Sequence, residues 1–333
     1  MNSTSNTICG IMMKILDLFA GAGGFSAGFG PSSAHSHLAV DNDSFPLGTY
    51  ALNNPHAKTL QRDIGKLHSL QIEKALGGAP DIIIASPPCE EFSLANPKSI
   101  ELASERIYGT GTARLLLDTI RLIGDLAPDV FVIENVAALL RAGGREIAIR
   151  EFESIGIYDI HFNLIRAHQH GNPSKRLRLF MSNMKLKLPR SYSPTVMDAI
   201  GNLPPLGLNA LLSPSNEVPN HVYRPATERN QKLINKARWG FGAKQFRGPK
   251  GRSMPNWVRL HPNQSASSII GLSRYIHPYE DRLLTVREHA RLMSYPDDFV
   301  FIGPIKSQYN QVGESVPPLI SKLIAKEVQT HLE

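Results

Sequence analysis

Two residues of this 333-residue chain combine a reactive side chain with a setting that could use it. Cys89 follows the apolar run DIIIAS (81–86) and the pair Pro87-Pro88. Two prolines restrict φ and fix how the chain approaches the thiol. Glu134 closes the next apolar run, VFVIE, and leads into Asn135-Val136. If both runs are strands of one open sheet, a thiol and a carboxylic acid reach the same crevice. That pair suits nucleophilic attack on a flat ring, with the acid serving a ring nitrogen or amine. The plainer alternatives are a small buried hydrophobe for Cys89 and a structural cap for Glu134. Cys9, with no such context, is read only the first way.

A third feature suggests what the crevice holds besides that ring. The run KILDLF (14–19) passes directly into Ala20-Gly21-Ala22-Gly23-Gly24-Phe25. Glycine after a first strand lets the backbone approach a ligand. A dinucleotide fingerprint begun at Gly21 requires glycine where Ser26 stands, which disfavours a dehydrogenase. Acids close the first three strands, Asp17, Asp41 and Asp63, the last followed by Ile64. They suit a nucleoside without a pyrophosphate. S-adenosylmethionine fits, because its sulfonium and amino group call for carboxylates. Each aspartate could equally be a helix N-cap.

The elements that must position these groups follow from periodicity. Strands are expected at 14–19, 37–41, 59–62, 81–85, 130–134, 158–164 and 178–182. Helices are expected at 44–53, 67–76, 112–126 and 145–154. The third is the clearest, with Leu115, Leu116, Thr119, Ile120, Leu122 and Ile123 on one stripe, ended by Pro128. Repeated βα units imply an α/β fold with a doubly wound, mainly parallel sheet. From 189 to 225 the texture turns to Pro, Asn and Ser. A smaller, irregular domain is expected there, with further helices at 285–294 and 317–331. The expected division is a tail at 1–12, a catalytic domain at 13–188 and 305–333, and a recognition domain at 189–304. Met12 and Met13 are alternative starts.

Composition narrows the function classes. With 42% hydrophobic and 20% charged residues the chain is neither disordered nor fibrous. Two cysteines exclude a disulfide framework and a multi-cysteine zinc site, so no metal is expected. No apolar run reaches a membrane span, and the N-terminus lacks a signal-peptide core. A cytoplasmic protein without a membrane partner is expected. The net charge of +7 is concentrated: residues 220–260 hold ten basic side chains against one acid, Glu228. Trp239, Phe241, Phe246 and Trp257 are interleaved with them. Such a segment suits a phosphate backbone, although a solvated charged face would read alike.

In these residues the chain resembles the C5-cytosine-specific DNA methyltransferases of the prokaryotic restriction–modification type. The motifs, in order, are DLFAGAGGFSAGF, AVDND, RDI, SPPCEEFS, VIENV, HGNPSKRLRLF, RLLTVREHARLMSYPDDF and QVGESVPP. They span 14–188 and 262–328, and leave unmatched the region near 190–260, where target recognition varies in this family. The resemblance implies a Rossmann-like methyltransferase sheet. It implies that Cys89 attacks C6 of a cytosine flipped out of double-stranded DNA. Glu134 would hold N3 and the exocyclic amine. Arg178 would contact O2 and lower the thiol pKa, with Arg176 supporting the site or a phosphate. S-adenosyl-L-methionine would lie on Phe19, Ala20, Gly21, Gly23, Gly24, Asp41, Asn42, Asp63, Ile64, Pro88, Glu314, Ser315 and Val316. A loop at 90–111, hinged at Gly109-Thr110-Gly111, would close over DNA. Arg282, Arg287, Glu288 and Arg291 would form an internal framework.

Three positions depart from the family pattern. Ser174 replaces a usual Gln, Glu314 a usual Asn, and Asn42 a large apolar residue of some relatives. On the DNA side, Ser174, Lys244, Arg247, Lys250 and Arg252 are the expected contacts. The expected enzyme is a monomer, and a cognate restriction endonuclease would act separately. Two other readings share the motifs: a DNA-binding protein with a degenerate cofactor site, acting by occupancy, and a tRNA cytosine-5 methyltransferase. Retention of Cys89, Glu134 and Arg178 argues against the first, and the basic segment against the second.

Overall fold

The computed structural model describes residues 13–30, 35–89, 91–92, 103–206, 218–222, 224–247, 253–271 and 274–333, with backbone alone at 246 and 247. Seven strands build the main sheet: β1 (Lys14–Leu18), β2 (Ser36–Asp41), β3 (Lys58–Gln61), β4 (Ile82–Ala85), β5 (Val130–Asn135), β6 (His161–Arg166) and β7 (Leu177–Ser182). Their order is β3-β2-β1-β4-β5-β7-β6, and only β7 runs against the rest. The order reverses direction at β1/β4, so the sheet is doubly wound and its crevice opens at that switch point.

Each sheet face has its own helices because strand side chains alternate. Leu16, Leu18, Ile83, Ala85, Phe131 and Ile133 face α2 (Ser69–Leu76), α4 (Leu115–Leu126) and α5 (Gly144–Ser154). A short α3 (Ala103–Ile107) joins that layer. Ile15, Ile82, Ile84, Val130 and Val132 face the other way, onto Ile320, Ile324 and Val328 of α10 (Pro318–Leu332). α1 (Ser44–Asn53) covers Ala39 on that side with Leu47 and Tyr50. Helix α1 starts at the expected Ser44, and the Asp43 side chain caps it by accepting from the Phe45 amide.

A second core gathers α6 (Val196–Ile200), α8 (Val286–Leu292) and α9 (Ile305–Glu314) around Leu260, Ile269, Tyr295, Phe299, Phe301 and Val312. Ala22 of the glycine turn belongs to it, so the two cores meet at that turn. Beside it lies a small sheet of β8 (Gly242–Arg247), β9 (Ser253–Arg259) and β10 (Tyr275–Ile276), flanked by α7 (Glu228–Lys236). The region after 189 thus has more regular structure than its composition suggests. Helix α9 was not expected, since IKSQYNQVGE buries only Gln311, Val312 and Gly313. The strand expected at 158–164 begins at His161, the preceding Ile157 and Ile160 packing onto the first core.

Arg282, Arg287, Glu288 and Arg291 form a framework. Buried Arg282 binds Glu288 at 2.8 Å and Glu280 at 2.9 Å. Arg287 is fully buried and donates to the carbonyls of Pro219, Pro296 and Phe299. Arg291 pairs with Asp297 at 2.5 Å. Desolvation opposes the charge on Glu288, but the Arg282 hydrogen bonds outweigh it and hold its carboxyl below the usual range.

Candidate active site

Strands β4 and β5 pair in parallel with Ala85 opposite Ile133, so Pro87 and Glu134 leave the sheet side by side. Asn135 ties the two exits together. Its Nδ2 donates to the Pro87 carbonyl at 3.4 Å, and its Oδ1 accepts from the Val136 amide at 2.9 Å. Cys89 is half-buried just beyond, its carbonyl accepting from the Phe92 amide at 3.0 Å.

Glu134 is buried, its side chain 5% exposed. Antiparallel β7 places Phe180 opposite Glu134, so Arg178 projects from the same face. Arg178 Nε lies 2.8 Å from Glu134 Oε1. That contact is an ion pair, and Oε1 makes no further hydrogen bond. The expected partner of Arg178 was a base oxygen; here the guanidinium pairs with Glu134 and its Nη1 donates to its neighbour's carbonyl, Leu177 O.

Arg176 lies wholly inside the protein. Its Nη1 donates to Ile269 O at 2.8 Å and Gly313 O at 2.9 Å, tying the start of β7 to the second core. Burial pushes its pKa down to about 9, helped by Arg178 and opposed by Glu134 and Cys89, so it stays charged at neutral pH. Of the two roles expected of it, a buried Arg176 bound to backbone carbonyls leaves no exposed guanidinium for a phosphate. Ser174 is likewise fully buried, its hydroxyl accepting from Asn172 Nδ2 at 2.8 Å. In this arrangement it presents no atom to a duplex, contrary to the expected DNA contact. The short side chain finds its partner inside the chain.

The glycine turn is closed from three sides. Phe19 adopts φ +57° and packs on the first core, and Ala20 is buried. Gly21 donates its amide to Asp41 Oδ2 at 2.8 Å, while Asp41 Oδ1 takes the Asp43 amide at 2.9 Å. Desolvation raises the Asp41 pKa against these hydrogen bonds. A side chain at Gly23 would meet the Tyr50 ring at 2.9 Å. One at Gly24 would collide with the Tyr295 hydroxyl, with Val316 O at 2.5 Å and with Ser315 Cβ at 2.8 Å. The C-terminal segment therefore returns to the turn. Tyr295 is a participant that the sequence reading missed, because its position depends on contacts between 24, 295 and 315.

Asn42 is exposed, its carbonyl accepting from Gln61 Nε2 at 3.2 Å. Asp63 caps the short turn Ile64–Lys66 through the Gly65 amide at 3.0 Å, and Ile64 is buried. The N-cap alternative thus holds for Asp63, which keeps its second oxygen within 3.7 Å of Lys66. Asp17 differs from its two counterparts: it is buried, and its Oδ2 accepts from Ser26 Oγ. Pro88 is half-buried, and the exposed Glu314 extends to Gly271.

On the basic segment, Lys244 Nζ sits 3.7 Å above the Trp257 ring, a cation–π contact. Arg247 ends β8. Lys250 and Arg252 lie outside the described residues, as do Cys9, Glu90 and 93–102 of the expected loop. Glu91 accepts from Thr112 Oγ1 and the Ala113 amide, fastening the loop's far end. Among the described residues no group of acids, histidines and cysteines could hold a metal, and no helix is long and apolar enough to cross a membrane.

Residues 13–330 match the family model described as C-5 cytosine-specific DNA methylase. The chain is 39% identical over 327 residues to M.MJ0563P of Methanocaldococcus jannaschii, covering 96% of this chain and all of that one. It is 32% identical to the type II methyltransferase M1.HphI of Haemophilus parahaemolyticus, over 95% of this chain and 86% of that one. A solved prophage-encoded protein of E. coli superposes with a TM-score of 0.74 at 24% identity, covering 96% and 99% of the two chains.

Proposed function

The chain belongs to the C-5 cytosine-specific DNA methylase family and is a DNA cytosine methyltransferase, and from that premise we propose a covalent mechanism on a flipped cytosine. The observation that carries it is the pair of exits from β4 and β5, joined by Asn135, which bring Cys89 and a buried Glu134, ion-paired to Arg178, to the same edge of the sheet. The Cys89 thiolate forms a bond from Sγ to C6 of the cytosine. Glu134 holds N3 and the exocyclic amine and stabilises the charge that the addition pushes into the ring. Arg178 keeps Glu134 oriented and presents positive charge toward O2. Addition makes C5 nucleophilic, which an aromatic cytosine is not. After transfer, loss of the C5 proton and departure of Cys89 restore the ring.

Bound S-adenosylmethionine supplies an electrophilic methyl group. The turn fits it on two observations: the space beside Gly21 is open, and Asp41 is fixed at the end of β2 by two amides. Phe19, Gly21, Gly23, Gly24, Ser315 and Val316 would line it. Asp41 would take the ribose, and Phe19, Asp63 and Ile64 the adenine, with Asn42 and Pro88 beside it. Residues 13–188 with 305–333 act as the catalytic domain and 189–304 as the recognition domain, with Lys244 and Arg247 toward DNA. The loop before Gly109-Thr110-Gly111 closes over the duplex. The enzyme works as a monomer in the cytoplasm, apart from any cognate endonuclease.

The test is transfer of labelled methyl from S-adenosylmethionine to mixed-sequence duplex DNA, with RNA in parallel, followed by nucleoside analysis. The expected product is 5-methyl-deoxycytidine, absent with Cys89→Ser. Label on adenine, or on RNA alone, would overturn the reading.

A further inference from the structure

Glu91 stands two residues after the proposed nucleophile, in Cys89-Glu90-Glu91-Phe92. An acid is a poor neighbour there, because negative charge near a thiol opposes the thiolate that must attack. The fold gives that charge another partner. Glu91 Oε1 accepts from Thr112 Oγ1 at 3.1 Å and from the Ala113 amide at 3.3 Å. Both groups belong to the turn Thr112–Arg114 that leads into α4. Gly111 occupies the N-cap position of that turn and has no side chain to cap it. Glu91 therefore supplies the cap from a distant part of the chain. A carboxylate is favoured at such a place, where free amides and the helix dipole gather positive charge.

The turn that carries Cys89 is thereby pinned at two points. Phe92, 2% exposed, is sunk in the first core, with the Arg106 guanidinium 5.4 Å from its ring centre. Its amide donates to the Cys89 carbonyl. Glu91 ties the same turn to α4, which Leu116, Ile120 and Ile123 fix in the first core. Gly111 completes the seat. Its φ of −80° suits any residue, yet the nearest atoms a Cβ would meet all belong to the Glu91 carboxylate, two of them at 2.7 Å. We propose that Glu91 is a positioning residue for methyl transfer: seated on the start of α4, it holds the turn that aims Cys89, its charge compensated there. The proposal rests on Cys89 as the nucleophile.

Three measurements on the full-length protein test it: single-turnover methylation, ligand binding, and alkylation of Cys89 against pH, read on its own peptide by mass spectrometry. Glu91→Ala should slow methyl transfer about 10- to 100-fold, the order for a reacting group misplaced by about 1 Å. Affinities for DNA and S-adenosylmethionine should change by less than about threefold, because the loss lies in the chemical step. The pH midpoint of Cys89 alkylation should move by less than about half a pH unit, since the thiol does not feel a compensated charge. Glu91→Gln keeps an acceptor oxygen and should remain within about threefold of wild type. Gly111→Ala displaces the carboxylate without removing it and should slow transfer as Glu91→Ala does. The double variant should be no slower than either single one, because both break the same contact. If Glu91→Ala does not fold, Gly111→Ala and Glu91→Gln carry the comparison, the first slow and the second active. Wild-type rates in Glu91→Ala or Gly111→Ala overturn the proposal alone. So do losses that multiply in the double variant, a Glu91→Gln as slow as Glu91→Ala, or a clear fall in the alkylation midpoint. A wild-type protein that transfers no methyl group, or a Cys89→Ser that still does, overturns the nucleophile reading as well.

Discussion

Glu134 and Arg178 touch at 2.8 Å, and that contact decides what each can do. A carboxylate paired through one oxygen leaves its remaining acceptor capacity for a ligand's N–H groups. Glu134→Gln keeps the shape and removes the charge. It should lower kcat by about 10²–10⁴-fold, the range for a positioned acid or base, with DNA affinity changed only a few-fold. Single-turnover methylation beside equilibrium binding checks this, and an unchanged kcat would remove Glu134 from the chemistry. Arg178→Met leaves Glu134 buried without its cation. Breaking such a pair costs roughly 3 kcal/mol or more. Denaturant unfolding should therefore show lost stability in Arg178→Met, and much less in Glu134→Gln.

The glycine turn shows how an element builds the site. Gly24 has ordinary φ, so its need for glycine is purely steric: Tyr295, Val316 and Ser315 occupy the space a Cβ would take. Gly24→Ala should destabilise the fold by about 1–3 kcal/mol, as overpacking does, and weaken S-adenosylmethionine binding with it. Paired thermal-shift curves with and without ligand would measure both, and an unaltered ligand shift would argue against a cofactor turn here. The local parts of this site were legible in the sequence. KILDLF, the helix at 44–53 and the apolar runs before Cys89 and Glu134 each act over a few residues, through periodicity. What the sequence could not show depends on residues far apart. Arg176 reaches Ile269 and Gly313, Tyr295 reaches Gly24, and Ser174 turns inward to Asn172. Helix α9 and the β8–β9 hairpin escaped notice because mostly polar segments hide a periodicity of burial.

At the scale of the molecule, two cores meet at the glycine turn, and buried charge holds the second one together. Arg282→Met would strand Glu288, fully buried, without its guanidinium and should cost about 3–5 kcal/mol. Asp17 gives the whole molecule a pH dependence. Its folded pKa, about 8, lies above the ordinary carboxyl value of 3.8, so the folded protein binds this proton more tightly than the unfolded chain. The resulting stability is full below about pH 4 and is lost as pH rises through about 8. Unfolding curves of Asp17→Asn should lack this decline across the same window. The central claim is the covalent bond from Cys89, and trapping it is the most direct measurement. Wild-type protein is incubated with S-adenosylmethionine and duplex DNA in which 5-fluorocytosine replaces cytosine. Fluorine cannot leave C5 as a proton does, so the enzyme should remain attached to its target. A denaturation-resistant adduct with wild type and none with Cys89→Ser is the expected result. An adduct that survives in Cys89→Ser, or methylation of ordinary cytosine by a wild-type protein that forms no adduct, would contradict it.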